Sequence, residues 1–196
     1  MMIRRLLAAR GFHYLVTRFG PTKLRSLAFD EKYRRGDWSS HTDGTGELPV
    51  LIKRYLRKGD LLIMGCGGCS VLEGLNATEM STALGIDLSQ EAIHLAGRYT
   101  SERISFQTAD MVTFECPRAY DVILFSESLY YVPSAQQEAL LRRLGGQLKP
   151  GGVFVVTFAQ AKRYEYILEL IRKHFAVQED RTFSGSSRHV IVFNTR

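Results

Sequence analysis

The chain has 196 residues, of which 45% are hydrophobic and 23% charged, with three cysteines and a formal net charge of +6. That length suits one domain with one core, and no apolar run reaches the roughly 18–20 residues of a membrane span. The charge is local: Arg4, Arg5, Arg10, Arg18, Lys23 and Arg25 stand among residues 1–25 without an acid, so the remainder is neutral and does not read as a nucleic-acid-binding body.

The odd cysteine count, with no apolar secretory core near the start, fits a reducing, cytoplasmic setting. The Arg-rich opening also has the character of an organellar presequence. Ala8, Phe12, Leu15, Val16 and Phe19 recur at helical spacing, predicting an amphipathic helix over residues 3–19 that Gly20–Pro21 ends. The segment 29–49, "FDEKYRRGDWSSHTDGTGELP", reads as a loop or broken helix, and "VLIKRYLRKGD" as a short helix ending at Gly59. Residues 1–49 therefore form an arm, and 50–196 the main domain.

From Leu61 an alternation sets in. "LLIMGC" is a buried strand, followed by a glycine turn and a helix around Val71–Leu75. "STALGIDL" is a second strand, and "SQEAIHLAGRYTS" a Ser-capped helix. "ISFQTAD" and "YDVILFSES" are the third and fourth strands. A helix in "SAQQEALLRRLGGQL" runs into the turn "KPGG" and a fifth strand, "VFVVTFA", with a helix near Tyr164–His174 behind it. The close differs, because "FAVQEDRTFSG" and "RHVIVFNTR" are two strands with no helix between them. Repeated β-α units with continuous apolar strands imply an α/β fold, a doubly wound and mostly parallel sheet with an antiparallel terminal pair.

Cys66 and Cys69 have the spacing of a zinc half-site or a redox dithiol, but only Cys116 remains as a further cysteine and the chain has no second C-x-x-C and no H-x-x-H. No metal is expected. The glycines carry the stronger signal. Gly65, Gly67 and Gly68 come after the first strand, where backbone can approach a ligand and the next helix offers free N–H groups. Asp87 closes the second strand, where an acid commonly pairs with ribose hydroxyls. A dinucleotide fingerprint would need a glycine or alanine at Ser70, and the antiparallel ending also fits such a fold badly.

These residues resemble the class I S-adenosylmethionine-dependent methyltransferases over roughly residues 50–196. "LLIMGCGGCS" is similar to their glycine motif and "GIDLSQEAI" to the acid-bearing second strand. "TADM" resembles the adenine-contact segment, "YDVILFSESLYYV" the fourth strand, and "LKPGGVFVV" the turn into the fifth. Within the family, "SESLYYV" looks most like the nodulation-type N-methyltransferases. The resemblance implies a Rossmann-like seven-stranded sheet and S-adenosylmethionine as cofactor. It implies that Gly65, Cys66 and Gly67 line the methionine moiety, Asp87 holds the ribose and Leu88 meets the adenine. Asp110 and Met111 would contact the adenine edge, and Ser126 would lie near the methyl group. Two positions depart from the family pattern, Ile63 for the usual acid and Cys69 for the usual third glycine.

Methyl transfer from a sulfonium is an in-line displacement, so the enzyme mainly positions the acceptor, a contribution of about 7–11 kcal/mol in well-oriented systems. Glu127 is the candidate that accepts or orients a substrate amine or hydroxyl, the alternative being a structural carboxylate that caps a helix or pairs with an Arg. Tyr130 and Tyr131 are candidates for the pocket wall facing the sulfonium. Tyr33 and Trp38 precede the fold proper and are candidates for a lid; His41 is a lesser acid-base candidate. The expected activity is methylation of a small molecule, at an amine more than a hydroxyl, with no nucleic acid and no membrane span. The alternatives are a protein-lysine methyltransferase, or a cofactor-binding protein without methyl transfer.

Overall fold

In the computed structural model, which describes residues 16–17, 20–37 and 46–196, the apolar runs pair into a single seven-stranded sheet. Its strands are β1 (Asp60–Met64), β2 (Thr82–Asp87), β3 (Ile104–Thr108), β4 (Tyr120–Ser126), β5 (Leu148–Phe158), β6 (Ala176–Thr182) and β7 (His189–Asn194). The spatial order is β3-β2-β1-β4-β5-β7-β6. The first five strands pair in parallel, and β7 runs antiparallel to both β5 and β6. Among the described residues the α-helices with full bounds are α1 (Thr22–Arg34), α2 (Glu47–Leu56), α3 (Gln90–Ala96), α4 (Ser134–Gly145) and α5 (Glu165–His174).

Position in the sheet explains strand composition. Central β1, β4 and β7 are buried along almost their whole length, so both faces need apolar side chains. Edge strands β3 and β6 are largely exposed and carry polar residues such as Gln107, Glu179 and Arg181. Period-two alternation sorts the core into two layers. Leu62, Met64, Ile123, Phe125, Phe154 and Val156 face α4 and α5, meeting Leu140, Leu144, Ile167 and Ile171. Leu61, Ile63, Val122, Leu124, Val153 and Val155 face the other way, onto Leu48, Leu51, Ile52 and Leu56 of α2.

The predicted α/β sheet and its antiparallel ending are therefore present. Three local expectations change or narrow. The residues after the glycine turn form only a five-residue 3-10 helix, Ser70–Gly74, because Cys69 enters it in the left-handed conformation and Gly74 and Asn76 interrupt its continuation. Of the two readings offered for the segment from residue 29, a loop or a broken helix, its opening is helical as far as Arg34, since its charged residues find partners on other elements. The fifth strand begins at Leu148, so "KPGG" lies within it beside a register shift. The helix over residues 3–19 falls almost wholly outside the described residues.

Candidate active site

Strand order reverses between β1 and β4, leaving a crevice beyond their carboxyl ends. The turn after β1 fills its floor. Gly65 and Gly67 have φ of 69° and 56°. A Cβ on Gly65 would lie 2.7 Å from Cβ of Ser128, and one on Gly67 2.7 Å from the Tyr33 hydroxyl. Cys66 N–H donates to the carbonyl of Ile86 at 2.8 Å, tying the turn to β2, and Cys69 N–H donates to the carbonyl of Cys66 at 2.9 Å. The turn thus presents backbone, not side chains, to whatever lies above it. The expectation of a helix N-terminus behind the turn is corrected, because one short 3-10 turn does not supply that row of aligned N–H groups.

Asp87 ends β2 beside this turn. One carboxylate oxygen accepts Gly67 N–H at 2.9 Å and the other accepts Ser89 N–H at 2.9 Å. Burial, with a smaller contribution from nearby Asp30, pushes its pKa up to about 6 against those stabilising hydrogen bonds. A carboxylate has about four lone-pair sites, so capacity for further donors remains on both oxygens. A vicinal diol matches that capacity, and a cradle closed to any Cβ matches a ligand lying against bare backbone. The residues present fit an adenosyl group.

A cavity of about 310 Å³ opens over the turn, and every sequence candidate for the catalytic or cofactor sites that falls among the described residues lines it. Trp38 and His41 lie outside the described residues. Gly65, Cys66, Gly67, Asp87 and Leu88 form the β1–β2 side, Asp110 and Met111 one end, and Ser126, Glu127, Tyr130 and Tyr131 the β4 side. Asp110 is more heavily engaged than a free acceptor. Its Oδ1 accepts Val112 N–H at 3.1 Å, while its Oδ2 accepts Arg25 at 3.0 Å and the Thr22 hydroxyl at 3.2 Å. Arg143 of α4 donates to the carbonyls of Phe114 and Val112 and so fixes the chain behind Asp110.

Glu127 has φ of 54°, a left-handed conformation unusual for a non-glycine residue. The conformation turns its buried carboxylate across to the end of β5, where it accepts Ala159 N–H at 2.8 Å and the Thr157 hydroxyl at 3.3 Å. Arg188 stands 3.7 Å away. Glu127 thus lines the cavity and stands within ion-pair distance of an arginine. Ser126 shares a hydrogen bond with Thr157 at 3.3 Å, and Ser128 donates to the carbonyl of Met64 at 2.6 Å. Tyr130 stacks on Tyr164 with ring centroids 4.2 Å apart, and Tyr131 meets Phe29 edge-on at 5.2 Å. Burial raises both tyrosine pKa values, that of Tyr131 to about 12, so these rings stay neutral.

Tyr33 reaches the same site from α1, its hydroxyl over Gly67 and its pKa raised by burial and by Asp87. Arg25 and Phe29 of α1 also line the cavity and were not among the sequence candidates. Helix α1 is seated by Asp30, which accepts the Ser89 hydroxyl at 2.6 Å, and by Arg34, which donates to Glu91 at 2.8 Å. The cysteines are free thiols, and Cys66 is held well above its ordinary pKa by its hydrogen bond to Cys69 and by burial. A protonated, buried thiol is a poor metal ligand and a poor nucleophile. Among the described residues no helix is long and apolar enough to cross a membrane.

Residues 61–152 match a family model described as a methyltransferase domain. The mRNA cap guanine-N(7) methyltransferase of Eremothecium gossypii is 28% identical over 163 residues, covering 74% of this chain and 37% of that protein. The ubiquinone biosynthesis O-methyltransferase of Photorhabdus laumondii is 28% identical over 127 residues, 58% of this chain and 52% of that one. The chain spans about half the length, or less, of these curated relatives. Among solved structures, the N-methyltransferase NodS from Bradyrhizobium japonicum WM9 in complex with S-adenosyl-L-homocysteine superposes with a TM-score of 0.63 at 20% identity. That likeness covers 99% of this chain and 96% of the other. At that identity the likeness speaks for the fold.

Proposed function

We propose that this chain is a class I S-adenosylmethionine-dependent methyltransferase that methylates a small molecule at an amine nitrogen. The observation that carries the reading is the pairing of a backbone cradle at Gly65–Gly67 with the Asp87 carboxylate one strand away, each aligned by the other through the Gly67 hydrogen bond. In this reading Gly65, Cys66 and Gly67 lie along the methionine part and Asp87 takes the ribose diol. Leu88 and Met111 flank the adenine, Asp110 accepts from its edge, and Ser126 lies toward the reacting end. When bound, the cofactor supplies an electrophilic methyl group on a sulfonium.

The remaining work belongs to the chain's own side chains. Tyr33, Tyr130, Tyr131 and Phe29 exclude water from the cavity and offer neutral aromatic surface to positive charge. An amine that arrives as ammonium must lose a proton before it can attack. Glu127 is the carboxylate at that end of the cavity, and its hydrogen bond from Ala159 fixes the orientation of the carboxylate. It orients the amine and receives its proton. The arm, residues 1–49, serves as a lid through α1, with Tyr33 as its contact to the turn. The three free cysteines support a reducing, cytoplasmic setting.

Support for nitrogen over oxygen comes from the carboxylate and aromatic wall together. Calorimetry with S-adenosylmethionine and S-adenosylhomocysteine tests cofactor binding; no heat and no thermal shift would end the reading. A labelled-methyl assay over pooled small amines, sugars, phenols, lysine-bearing acidic proteins and capped RNA tests the acceptor class. Label in the amine pool is the expected result. Label only in protein or RNA would overturn the small-molecule part.

A further inference from the structure

We infer that Arg25 is a positioning residue of the cofactor site, one that sets Asp110 to accept a single further N–H donor and so makes α1 part of adenine recognition. The inference rests on the proposed cofactor reading and adds a residue to it. Arg25 lines the cavity, yet it is a buried guanidinium at 8% exposure, which arginine rarely accepts without a partner. Its Nε donates to the carbonyl of Thr17 at 3.1 Å and its Nη1 to Asp110 at 3.0 Å. Asp110 is nearly as buried, so the two charges answer one another out of water.

Counting acceptors gives the consequence. Asp110 receives Arg25, the Thr22 hydroxyl and Val112 N–H. Of about four lone-pair sites, about one remains. That residual capacity suits one hydrogen of an exocyclic amino group, whereas Asp87 keeps room on both oxygens for two hydroxyls. Two of the donors that define Asp110 come from α1, so the acceptor is shaped only while α1 is docked. Without Arg25 a buried carboxylate has no counter-charge and turns toward water, and the acceptor is lost.

The test compares S-adenosylhomocysteine with its 6-deamino analogue, which carries purine riboside in place of adenosine, by calorimetry on the full chain. Wild type should prefer the amino ligand by about tenfold or more, the worth of a hydrogen bond to a charged group. Arg25→Ala should bind S-adenosylhomocysteine about tenfold more weakly and lose the preference to within about twofold, with Arg25→Lys between the two. Asp87→Ala should weaken both ligands alike and keep the preference. S-adenosylhomocysteine should also slow amide exchange across Thr22–Arg34 in wild type and not in Arg25→Ala.

A purely structural role for Arg25 would lower both affinities by the same factor and leave the preference intact; that result, unchanged binding, or a wild type without preference overturns the inference. Should Arg25→Ala fail to fold, the same ratio is read from Arg25→Lys. A wild type that binds no S-adenosylhomocysteine is a separate outcome: it ends the cofactor reading and this inference with it.

Discussion

The two halves of the cavity are built on different plans. On the β1–β2 side the ligand-facing surface is backbone, fixed by positive-φ glycines, with one carboxylate whose partners are themselves main-chain N–H groups. On the β4–β5 side it is side chain: Ser126, Glu127, Tyr130 and Tyr131, held by contacts reaching Thr157, Ala159, Tyr164 and Arg188. A backbone surface tolerates little change and suits an invariant ligand. A surface of side chains carried on loops is where specificity diverges. In the proposed function the first half is the cofactor side and the second the acceptor side.

The comparison can be broken most directly at Asp87. Asp87→Ala removes an ionised acceptor for two hydroxyls, and calorimetry should show S-adenosylmethionine affinity falling about a hundredfold. A loss under about threefold would detach the carboxylate from the cofactor half. Glu127→Gln probes the other half. Its amide oxygen can still accept Ala159 N–H, so cofactor affinity should hold within about twofold while turnover falls by about tenfold to a hundredfold. Equal losses in binding and turnover would mean the division between halves is wrongly drawn.

Acidity offers a gentler probe of the same contrast. The Asp87 pKa is raised to about 6 by burial, and the ionised form is the acceptor, so affinity should be near full from about one pH unit above that value. It should fall about tenfold by about pH 5 as the carboxylate protonates. In Asp87→Ala that pH dependence should vanish. The smallest effect belongs to Cys66→Ser, which changes a side chain on a surface that acts through its backbone. Cofactor affinity should move by no more than about twofold, and a chelator should change nothing. A large loss would return the thiols to a working role.

Much of the cofactor half was legible because its signals are local. A glycine cluster after an apolar run, with an acid closing the next strand, lies within Leu61–Asp87 and stems from the conformations each residue allows. The sheet was legible for the same reason, since continuous apolar runs mark strands covered on both faces. Helix α1 was not. Its sequence "TKLRSLAFDEKYR" sets charges among its apolar residues, and two of them, Arg25 and Asp30, are buried. Their burial depends on Asp110 and Ser89, which lie far along the chain and come near only after folding. The hold of Ala159 and Arg188 on Glu127 is hidden in the same way. The 3-10 turn after the glycines was missed because "SVLEGL" has helical composition but too little length to express it.

The seat of Asp30 carries one more implication. Its negative charge arrives with α1 and is among the causes that make Asp87 hold its proton. Withdrawal of the arm would remove that charge and readmit water, letting Asp87 fall back toward an ordinary carboxylate and, between about pH 4 and 6, shed a proton. Proton and arm then act as linked ligands of one carboxyl group, each favouring the other's presence. Mild acid would favour the docked helix even as it depletes the ionised form of Asp87 beneath it.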